Sequence, residues 1–349
     1  MADIHCRIEG RAGRITFTRP QALNALSHDM ARAIAAALQA WRDDDAVALL
    51  VIDAEGERAF CAGGDIAYMH AVGTAGDYDG PRRFWRDEYR MNAAIAGYPK
   101  PIVALMQGFV MGGGVGVGCN AGIRVVGEST QVAMPECGIG LVPDVGGSLM
   151  LARAPGHAGE YLALTAARMG PADAIFAGFA DHFLPEADWP ALKVRLVETG
   201  DAGVVAQAAR PAPESPLSAE AEVIDRLFAG PDLAAIHAAL TAGTGDVAGR
   251  ALKAVNRNSP LSMACALEMI RRLRTGGTGI REALALEYRF THRALPEADF
   301  LEGVRAQIID KDRAPRWRHA APGDVTAAEV AHMLAPLGDA ELWQQEDTP

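Results

Sequence analysis

The feature that most constrains this chain is a glycine-interrupted apolar stretch over residues 100–147, KPIVALMQGFVMGGGVGVGCNAGIRVVGESTQVAMPECGIGLVPDVGG. Ile102–Met106 and Ile123–Val126 are typical of buried strands, because neither run has an alternating polar face. Three consecutive glycines at 112–114 lie between them. Glycines that open a helix let a ligand approach the backbone and leave N–H groups without intrahelical partners. The stretch therefore predicts either an oxyanion site or a glycine-rich packing contact.

A second glycine turn, AFCAGGDI, follows the apolar run at residues 47–52. The carboxylates Glu136 and Asp144 lie downstream of the triplet, and each adjoins a proline. Taken alone, Glu136 is an ordinary loop carboxylate and Asp144 is a helix N-cap. Glu88, on a predicted helix over residues 82–95, would by itself belong to a solvated face. Cys61 has no histidine close in sequence that could activate it as a nucleophile.

Local patterns predict the surrounding elements. Residues 4–8 and 14–18 predict a β-hairpin. Ser27 predicts the N-cap of a helix over residues 29–41, where apolar residues recur at helical spacing. From about residue 190 onward the pattern is mostly helical.

Together, FCAGGDI, YPKPIVALMQGFVMGGGVGVG and MPECGIGLVPDVGGS resemble the crotonase (enoyl-CoA hydratase/isomerase) superfamily. Within it, the chain most resembles the 3-hydroxyisobutyryl-CoA hydrolase branch, over about residues 19–317. Several motifs in the same order are far more specific than any one of them. The resemblance implies an α/β fold. Its core is a crotonase-type spiral of ββα units over residues 1–190, followed by a mostly α-helical C-terminal region over residues 191–349.

The resemblance also implies the site. The backbone N–H groups of Gly64 and Gly113 would form an oxyanion hole for a thioester carbonyl. Glu136 and Asp144 would be the catalytic pair, and Glu88 would hold the acyl group. The substrate-binding set is thus Glu88, Gly113, Glu136 and Asp144. Whether Glu136 attacks the carbonyl or activates water stays open. Arg305, Lys311 and Arg313 are candidates for binding the phosphates of coenzyme A.

Two departures bear on the reaction. Hydratases of this family carry a glutamate where this chain has Gly116, and usually a glycine where it has Asp144. The resemblance therefore implies hydrolysis of a short 3-hydroxyacyl-CoA, with 3-hydroxyisobutyryl-CoA as the substrate and valine catabolism as the pathway. An enoyl-CoA hydratase/isomerase and a non-catalytic acyl-CoA-binding protein are the alternatives. The hydrolases often carry serine and histidine where this chain has Gly118 and Asn120, so the acyl preference is open.

The whole composition excludes other classes. A net charge of −11 argues against nucleic acid or an anionic membrane as partner. Nine histidines without ligand spacing predict no metal site, and the resemblance implies no cofactor, since coenzyme A belongs to the substrate. Five scattered cysteines and an N-terminus unlike a signal peptide predict a cytoplasmic protein. No apolar run predicts a membrane helix. A homo-oligomer is compatible with the resemblance.

Overall fold

The computed structural model describes residues 3–276 and 279–343. These residues form two compact units that alternate along the chain. The first unit comprises the described residues up to Asp65, Asp87–Ala133 and Arg168–Ser218. The second comprises Ile66–Arg86, Met134–Ala167 and the described residues from Ala219 onward. The sequence predicts a division of another kind, into a core over residues 1–190 and a helical region over residues 191–349. That division stays a prediction.

All nine named strands of the described residues belong to the first unit. They are β1 (Ile4–Glu9), β2 (Ala12–Phe17), β3 (Leu49–Ala54), β4 (Ala59–Cys61), β5 (Ile102–Met106), β6 (Phe109–Met111), β7 (Ile123–Val126), β8 (Gln131–Ala133) and β9 (His182–Phe183).

Helices account for most of the remaining named elements. They are α1 (His28–Trp41), α2 (Ile66–Thr74), α3 (Asp79–Ala96), α4 (Gly113–Gly118), α5 (Gly147–Arg153), α6 (Ala158–Thr165), α7 (Pro171–Phe176), α8 (Trp189–Thr199), α9 (Val204–Ala208), α10 (Pro216–Ala219), α11 (Ala221–Phe228), α12 (Leu233–Ala242), α13 (Asp246–Val255), α14 (Pro260–Thr275), α15 (Ile280–Glu297), α16 (Phe300–Val304) and α17 (Ala327–Met333). Among the described residues, no helix combines the length and apolar character needed to cross a bilayer.

The strands form two sheets, ordered β1-β2-β3-β5-β7-β9 and β4-β6-β8. The predicted hairpin is confirmed: β1 and β2 pair antiparallel, with Glu9 opposite Ala12 and a turn of only two residues. The other pairings are parallel.

The ββα repeat is visible in the strand order. Of the consecutive pairs β3/β4, β5/β6 and β7/β8, the first strand always joins the six-stranded sheet and the second the three-stranded sheet. Each consecutive pair therefore adds one strand to each of the two sheets, so the chain winds as a spiral. The predicted α/β spiral core is confirmed.

The larger sheet buries one face under α8 and α9. Leu49, Val51, Val103 and Leu105 alternate along β3 and β5 toward this layer, as the period of two in a strand requires. They pack with residues of the two helices, among them Trp189, Leu192, Leu196, Val204 and Val205. Each fully buried side chain of this size contributes about 1.5–3 kcal/mol. This packing fixes the strands from which the glycine turns emerge.

The cap predicted for α1 is confirmed. The Ser27 hydroxyl accepts a hydrogen bond from the Met30 N–H at 3.3 Å, which satisfies one of the helix's unpaired donors. The buried stripe of Met30, Ile34, Leu38 and Trp41 shows the predicted spacing.

The second unit is built from helices. α14 packs against α5 and α6, and α15 packs against α5 and α16. From Trp189 onward the named elements of the described residues are all helical, which confirms the helical C-terminal region. Because α5 carries the PDVGG segment at its start, α14 and α15 set the position of that segment.

Candidate active site

The glycine triplet does open a helix. Gly112 has φ +49° and ψ −119°, which a residue with a side chain rarely adopts, and α4 begins at Gly113. The first N–H groups of a helix have no intrahelical acceptor. A Cβ on Gly114 would lie 2.1 Å from the Cys61 carbonyl oxygen. The glycines therefore serve both the turn and the close packing of α4 on β4. The packing interpretation of the triplet is confirmed, and the oxyanion site stays a prediction.

Gly64 lies in a short parallel bridge opposite Leu26. Leu26 donates to the Gly63 carbonyl at 2.8 Å and accepts from the Asp65 N–H at 3.1 Å. In a parallel bridge of this kind, the residue between the two bonded ones directs its N–H away from the partner strand. The Gly64 N–H is thus directed away from Leu26, as an oxyanion donor requires.

Glu88 is brought to Gly113 by α3. Its Oε1 lies 2.7 Å from the position that a Cβ would take on Gly113, and Glu88 is 3% exposed. The interpretation of Glu88 as part of a solvated face is therefore wrong. Within the first unit, the structure brings this predicted acyl-binding carboxylate to one of the predicted oxyanion donors.

Asn92 is a further polar residue beside Glu88 that no sequence motif marks. It lies one helical turn after Glu88, so the two side chains share a face of α3. It is fully buried, and neither amide atom has a hydrogen-bond partner among the described residues. The available signal was the four-residue spacing between two polar residues on an otherwise apolar helix face.

Glu136 begins a 3-10 turn, Glu136–Ile139, directly after Pro135. It is 4% exposed, so it is not an ordinary loop carboxylate. Its backbone carbonyl accepts from the Leu141 N–H at 3.0 Å. Gly140 ends the turn at φ +74°, and a Cβ there would lie 2.4 Å from the Asp299 carbonyl.

A hydrogen bond from Ser259, the N-cap of α14, holds this turn, and two more bonds fix Ser259 in place. The Ser259 N–H donates to the Cys137 carbonyl at 2.9 Å. The Ser259 hydroxyl donates to Asp299 Oδ2 at 2.6 Å, and Asp299 Oδ1 accepts from the Arg318 N–H at 3.0 Å. The backbone around Glu136 is thereby tied to residues more than 100 positions later in the chain.

Asp144 does not cap α5, contrary to the interpretation as an N-cap. The helix begins at Gly147 and its N-cap is Gly146 at φ +87°, a residue without a side chain that could cap it. Asp144 is 4% exposed and its carbonyl accepts from the Gly147 N–H at 2.7 Å. Val145 has φ +55°, which costs a β-branched residue about 1–3 kcal/mol. The turn that carries Asp144 is strained.

Glu287 on α15 contacts this turn and was not singled out from the sequence. Its Oε2 accepts from the Gly146 N–H at 2.9 Å, and its Oε1 accepts from the Ser148 N–H at 3.2 Å and from the Ser148 hydroxyl. Burial raises the pKa of Glu287 to about 8, and the charge of Asp144 adds to the rise, whereas the hydrogen bonds from Ser148 and Gly146 oppose it.

The cysteines do not offer a nucleophile. All five thiols are free. Burial raises the pKa of Cys61 to about 12, with a further rise from the charge of Glu88, against a hydrogen bond to the backbone of Gly63. A thiol in this environment stays protonated at neutral pH and is a poor nucleophile.

The residues after the glycine triplet that differ from the related hydratases and hydrolases, Gly116, Gly118 and Asn120, lie in packing positions. A Cβ on Gly118 would lie 2.5 Å from Met106 Sδ and 3.0 Å from the Phe60 ring. The Asn120 amide donates to the Gly116 carbonyl at 2.8 Å. Gly116 is buried within α4. The local role of these residues is thus to end and pack the helix.

Arg305, a candidate ligand of the coenzyme A phosphates, is engaged within its own segment. Its guanidinium donates to Glu302 at 2.8 Å, Asp310 at 2.6 Å and Asp312 at 2.7 Å. Lys311 and Arg313, the other candidates, have positive φ values of 58° and 56°. The phosphate assignment stays a prediction. Among residues 3–276 and 279–343, no three His, Cys, Asp or Glu side chains are grouped as metal ligands would be.

The predicted site residues are thus placed in two groups. Gly64, Gly113 and Glu88 belong to the first unit, and Glu136 and Asp144 lie on consecutive turns of the second. Their joint action on one substrate is a prediction from the sequence motifs.

Comparison with known proteins identifies the family. A family model described as enoyl-CoA hydratase/isomerase matches residues 12–334. The chain belongs to the enoyl-CoA hydratase/isomerase family. Membership in this family implies an acyl-CoA substrate. Coenzyme A then enters the site as part of that substrate.

Three known proteins match nearly the whole chain. A Gallus gallus protein named "3-hydroxyisobutyryl-CoA hydrolase, mitochondrial" is 37% identical, covering 98% of this chain and 91% of that protein. A structure described as an enoyl-CoA hydratase from Rhodobacter sphaeroides 2.4.1 is 59% identical with a TM-score of 0.95. The match covers 98% of this chain and 100% of that chain. A structure described as a carnitinyl-CoA dehydratase from Mycobacterium thermoresistibile is 41% identical with a TM-score of 0.93. The match covers 98% of this chain and 99% of that chain.

One prediction from the sequence is wrong by this comparison. The sequence predicts a cytoplasmic protein, whereas several similar proteins, including that of Gallus gallus, are named as mitochondrial. The expectation depended on the missing signal-peptide pattern and on the scattered cysteines. Neither feature distinguishes the cytoplasm from another reducing compartment.

Proposed function

We propose that this protein hydrolyses the thioester of a short 3-hydroxyacyl-CoA, with 3-hydroxyisobutyryl-CoA as substrate and 3-hydroxyisobutyrate and coenzyme A as products. The observation that carries the proposal is the match, over 95–98% of the chain, to relatives named for this hydrolysis. The reaction would serve valine catabolism, as the resemblance implies.

The first element of the proposed mechanism is the oxyanion hole. The N–H groups of Gly64 and Gly113 would bind the thioester carbonyl oxygen as negative charge develops on it. The opening of α4 at Gly113 and the outward N–H of Gly64 support this role. A preorganised donor of this kind is worth about 3–4 kcal/mol in the transition state, because no reorganisation is needed during the reaction.

The second element is the carboxylate pair. Glu136 would either attack the carbonyl carbon, giving a mixed anhydride that water then cleaves, or remove a proton from the attacking water. In both routes the carbon–sulfur bond breaks and the coenzyme A sulfur leaves as a thiol after accepting a proton. Asp144 would orient the substrate or water and shuttle that proton. Glu88, buried beside Gly113, would bind the hydroxyl of the acyl group.

Enoyl-CoA hydration is the second candidate, because the solved structures at 59% and 41% identity are described as a hydratase and a dehydratase. The residue at position 116 argues against it. The two-glutamate mechanism needs a carboxylate there, whereas Gly116 has no side chain and is buried in α4. The additional carboxylate, Asp144, suits hydrolysis better.

The test is release of free thiol from (S)-3-hydroxyisobutyryl-CoA, with 3-hydroxypropionyl-CoA and crotonyl-CoA assayed in parallel. We expect rapid thiol release from both hydroxyacyl thioesters. Hydration of crotonyl-CoA without thiol release from any substrate would overturn the proposal in favour of the hydratase.

A further inference from the structure

Glu287 is a buried carboxyl group that the proposed reaction does not use. It lies on α15 and is fully buried, a position that is costly for a carboxyl group unless donors satisfy it. Its donors come from one place, the turn that follows Asp144. They are the Gly146 N–H at 2.9 Å, the Ser148 N–H at 3.2 Å and the Ser148 hydroxyl.

This turn needs support from elsewhere in the chain. Val145 at φ +55° and Gly146 at φ +87° place two consecutive residues in the left-handed region, which is unfavourable for a β-branched side chain. Such conformations persist only where the surroundings impose them. Because both carboxyl oxygens of Glu287 bind donors two residues apart, the contact fixes the direction of the backbone just after Asp144.

We propose that Glu287 is a positioning residue for Asp144, and that its carboxyl group clamps the backbone from Gly146 to Ser148 in the conformation that presents the Asp144 side chain. The inference rests on the proposed function, in which Asp144 takes part in thioester hydrolysis. Glu287 itself touches no reacting atom and acts through the turn.

The protonation of Glu287 agrees with this role. Burial raises the pKa of Glu287 to about 8, against the hydrogen bonds from Ser148 and Gly146. The group is therefore mainly neutral at pH 7 and adds little negative charge beside Asp144. A glutamine, which is neutral and of similar shape, keeps a carbonyl acceptor for the Gly146 N–H and an amide group that can donate to the Ser148 hydroxyl, and it loses only the acceptor of the Ser148 N–H. It is the conservative variant that should rescue function.

The experiment compares Glu287→Leu with Glu287→Gln in the full-length protein, using thiol release from 3-hydroxyisobutyryl-CoA. In Glu287→Leu we expect kcat to fall about 100-fold while KM stays within about twofold, because a small displacement of a reacting group slows chemistry without weakening substrate binding. We expect Glu287→Gln to keep kcat within about fivefold of the unmodified protein, equivalent to about one hydrogen bond. Glu297→Gln, the same change at a partly exposed position on α15 where the side chain contacts His332, is the matched control and should keep the wild-type kcat.

The outcomes separate a positioning role from a structural one. An unchanged kcat in Glu287→Leu, or equal losses in Glu287→Leu and Glu287→Gln, would overturn the inference. If Glu287→Leu does not fold, as judged by circular dichroism, Ser148→Ala decides in its place. Loss of that hydroxyl should lower kcat about fivefold at constant KM, and an unchanged kcat would overturn the inference. Failure of the proposed function is distinct, because the unmodified protein would then release no thiol.

Discussion

The Oε1 atom of Glu88 lies 2.7 Å from the position that a Cβ atom would take on Gly113. Glycine at 113 is thus required by the carboxylate that faces it, independently of the conformation of the turn. The Leu26 side chain, 3.2 Å from the same position, closes the other side.

Gly113→Ala should therefore abolish most of the thioester hydrolysis. The added methyl group would displace Glu88 and the Gly113 N–H together, and loss of one oxyanion donor costs about 10²–10³ in kcat. The matched control is Gly122→Ala, where a Cβ meets no atom within 4 Å and activity should be unchanged. Wild-type kcat in Gly113→Ala would remove Gly113 from the oxyanion hole.

Glu136→Gln should lose thioester hydrolysis by about 10²–10⁴-fold, which is the usual contribution of a general acid or base. Coenzyme A affinity, measured by calorimetry, should stay within about threefold, because the substitution changes the charge but not the shape. Glu57→Gln, at an exposed position, serves as the control. Turnover of Glu136→Gln at the wild-type rate would eliminate Glu136 as the nucleophile or base.

Cys61→Ala should retain at least about half of the wild-type turnover. The Cys61 thiol is buried, and burial raises its pKa to about 12, so no thiolate is present near neutral pH. The measurement is thiol release, with substrate-derived coenzyme A counted separately from protein thiols. A loss comparable to that in Glu136→Gln would mean that Cys61 takes part in the reaction.

Asp53→Asn should destabilise the fold at pH 7 by about 3 kcal/mol, because it removes a buried charge that pairs with the partly buried Arg14 and Lys193. Asp53 is 4% exposed and accepts from Arg14 at 2.7 Å, Thr16 at 2.7 Å and Lys193 at 3.2 Å. Denaturant unfolding measures the change. Asp45→Asn, at an exposed position, should stay within about 0.5 kcal/mol of wild type.

The Asp53 carboxyl group also predicts that the stability of the fold depends on pH. Burial tends to raise the pKa of Asp53, but the hydrogen bond from Thr16 and the charges of Lys193 and Arg14 outweigh it, so the pKa is lowered. The unfolded chain then binds the proton more tightly than the folded one. The stabilisation is complete above the ordinary pKa of about 3.9 and is lost as pH falls through the lowered value. The difference between wild type and Asp53→Asn should therefore shrink on acidification; a constant difference would contradict this account.

Ala166→Gly should stabilise the protein by about 0.5–1 kcal/mol. Ala166 caps the C-terminus of α6 at φ +55°, a conformation that glycine adopts without a Cβ penalty. Ala163→Gly, inside the same helix, should instead destabilise by at least about 1 kcal/mol. Thermal unfolding of the pair compares the two positions, and a fall in Tm for Ala166→Gly would show that its methyl group contributes to packing.

Much of the local structure follows from the sequence. The hairpin, the Ser27 cap of α1, the strands β5 and β7 and the helix that opens at the glycine triplet all depend on residues close in the chain. Periodicity, capping side chains and glycine positions carry this information directly. The ordered motifs also determine the family, because their combination and order are far more specific than any single turn.

The position of Asp144 depends on tertiary structure. Its place before an apolar run suggested an N-cap, but α5 starts three residues later, after Val145 takes a left-handed conformation. Glu287 lies 139 residues from Ser148 along the chain. A sequence pattern shows a glutamate on the apolar face of α15 but cannot show which donors it meets. The elements, the family and the candidate carboxylates can thus be predicted from residues close in the chain, whereas packing between distant helices sets the backbone conformation around Asp144.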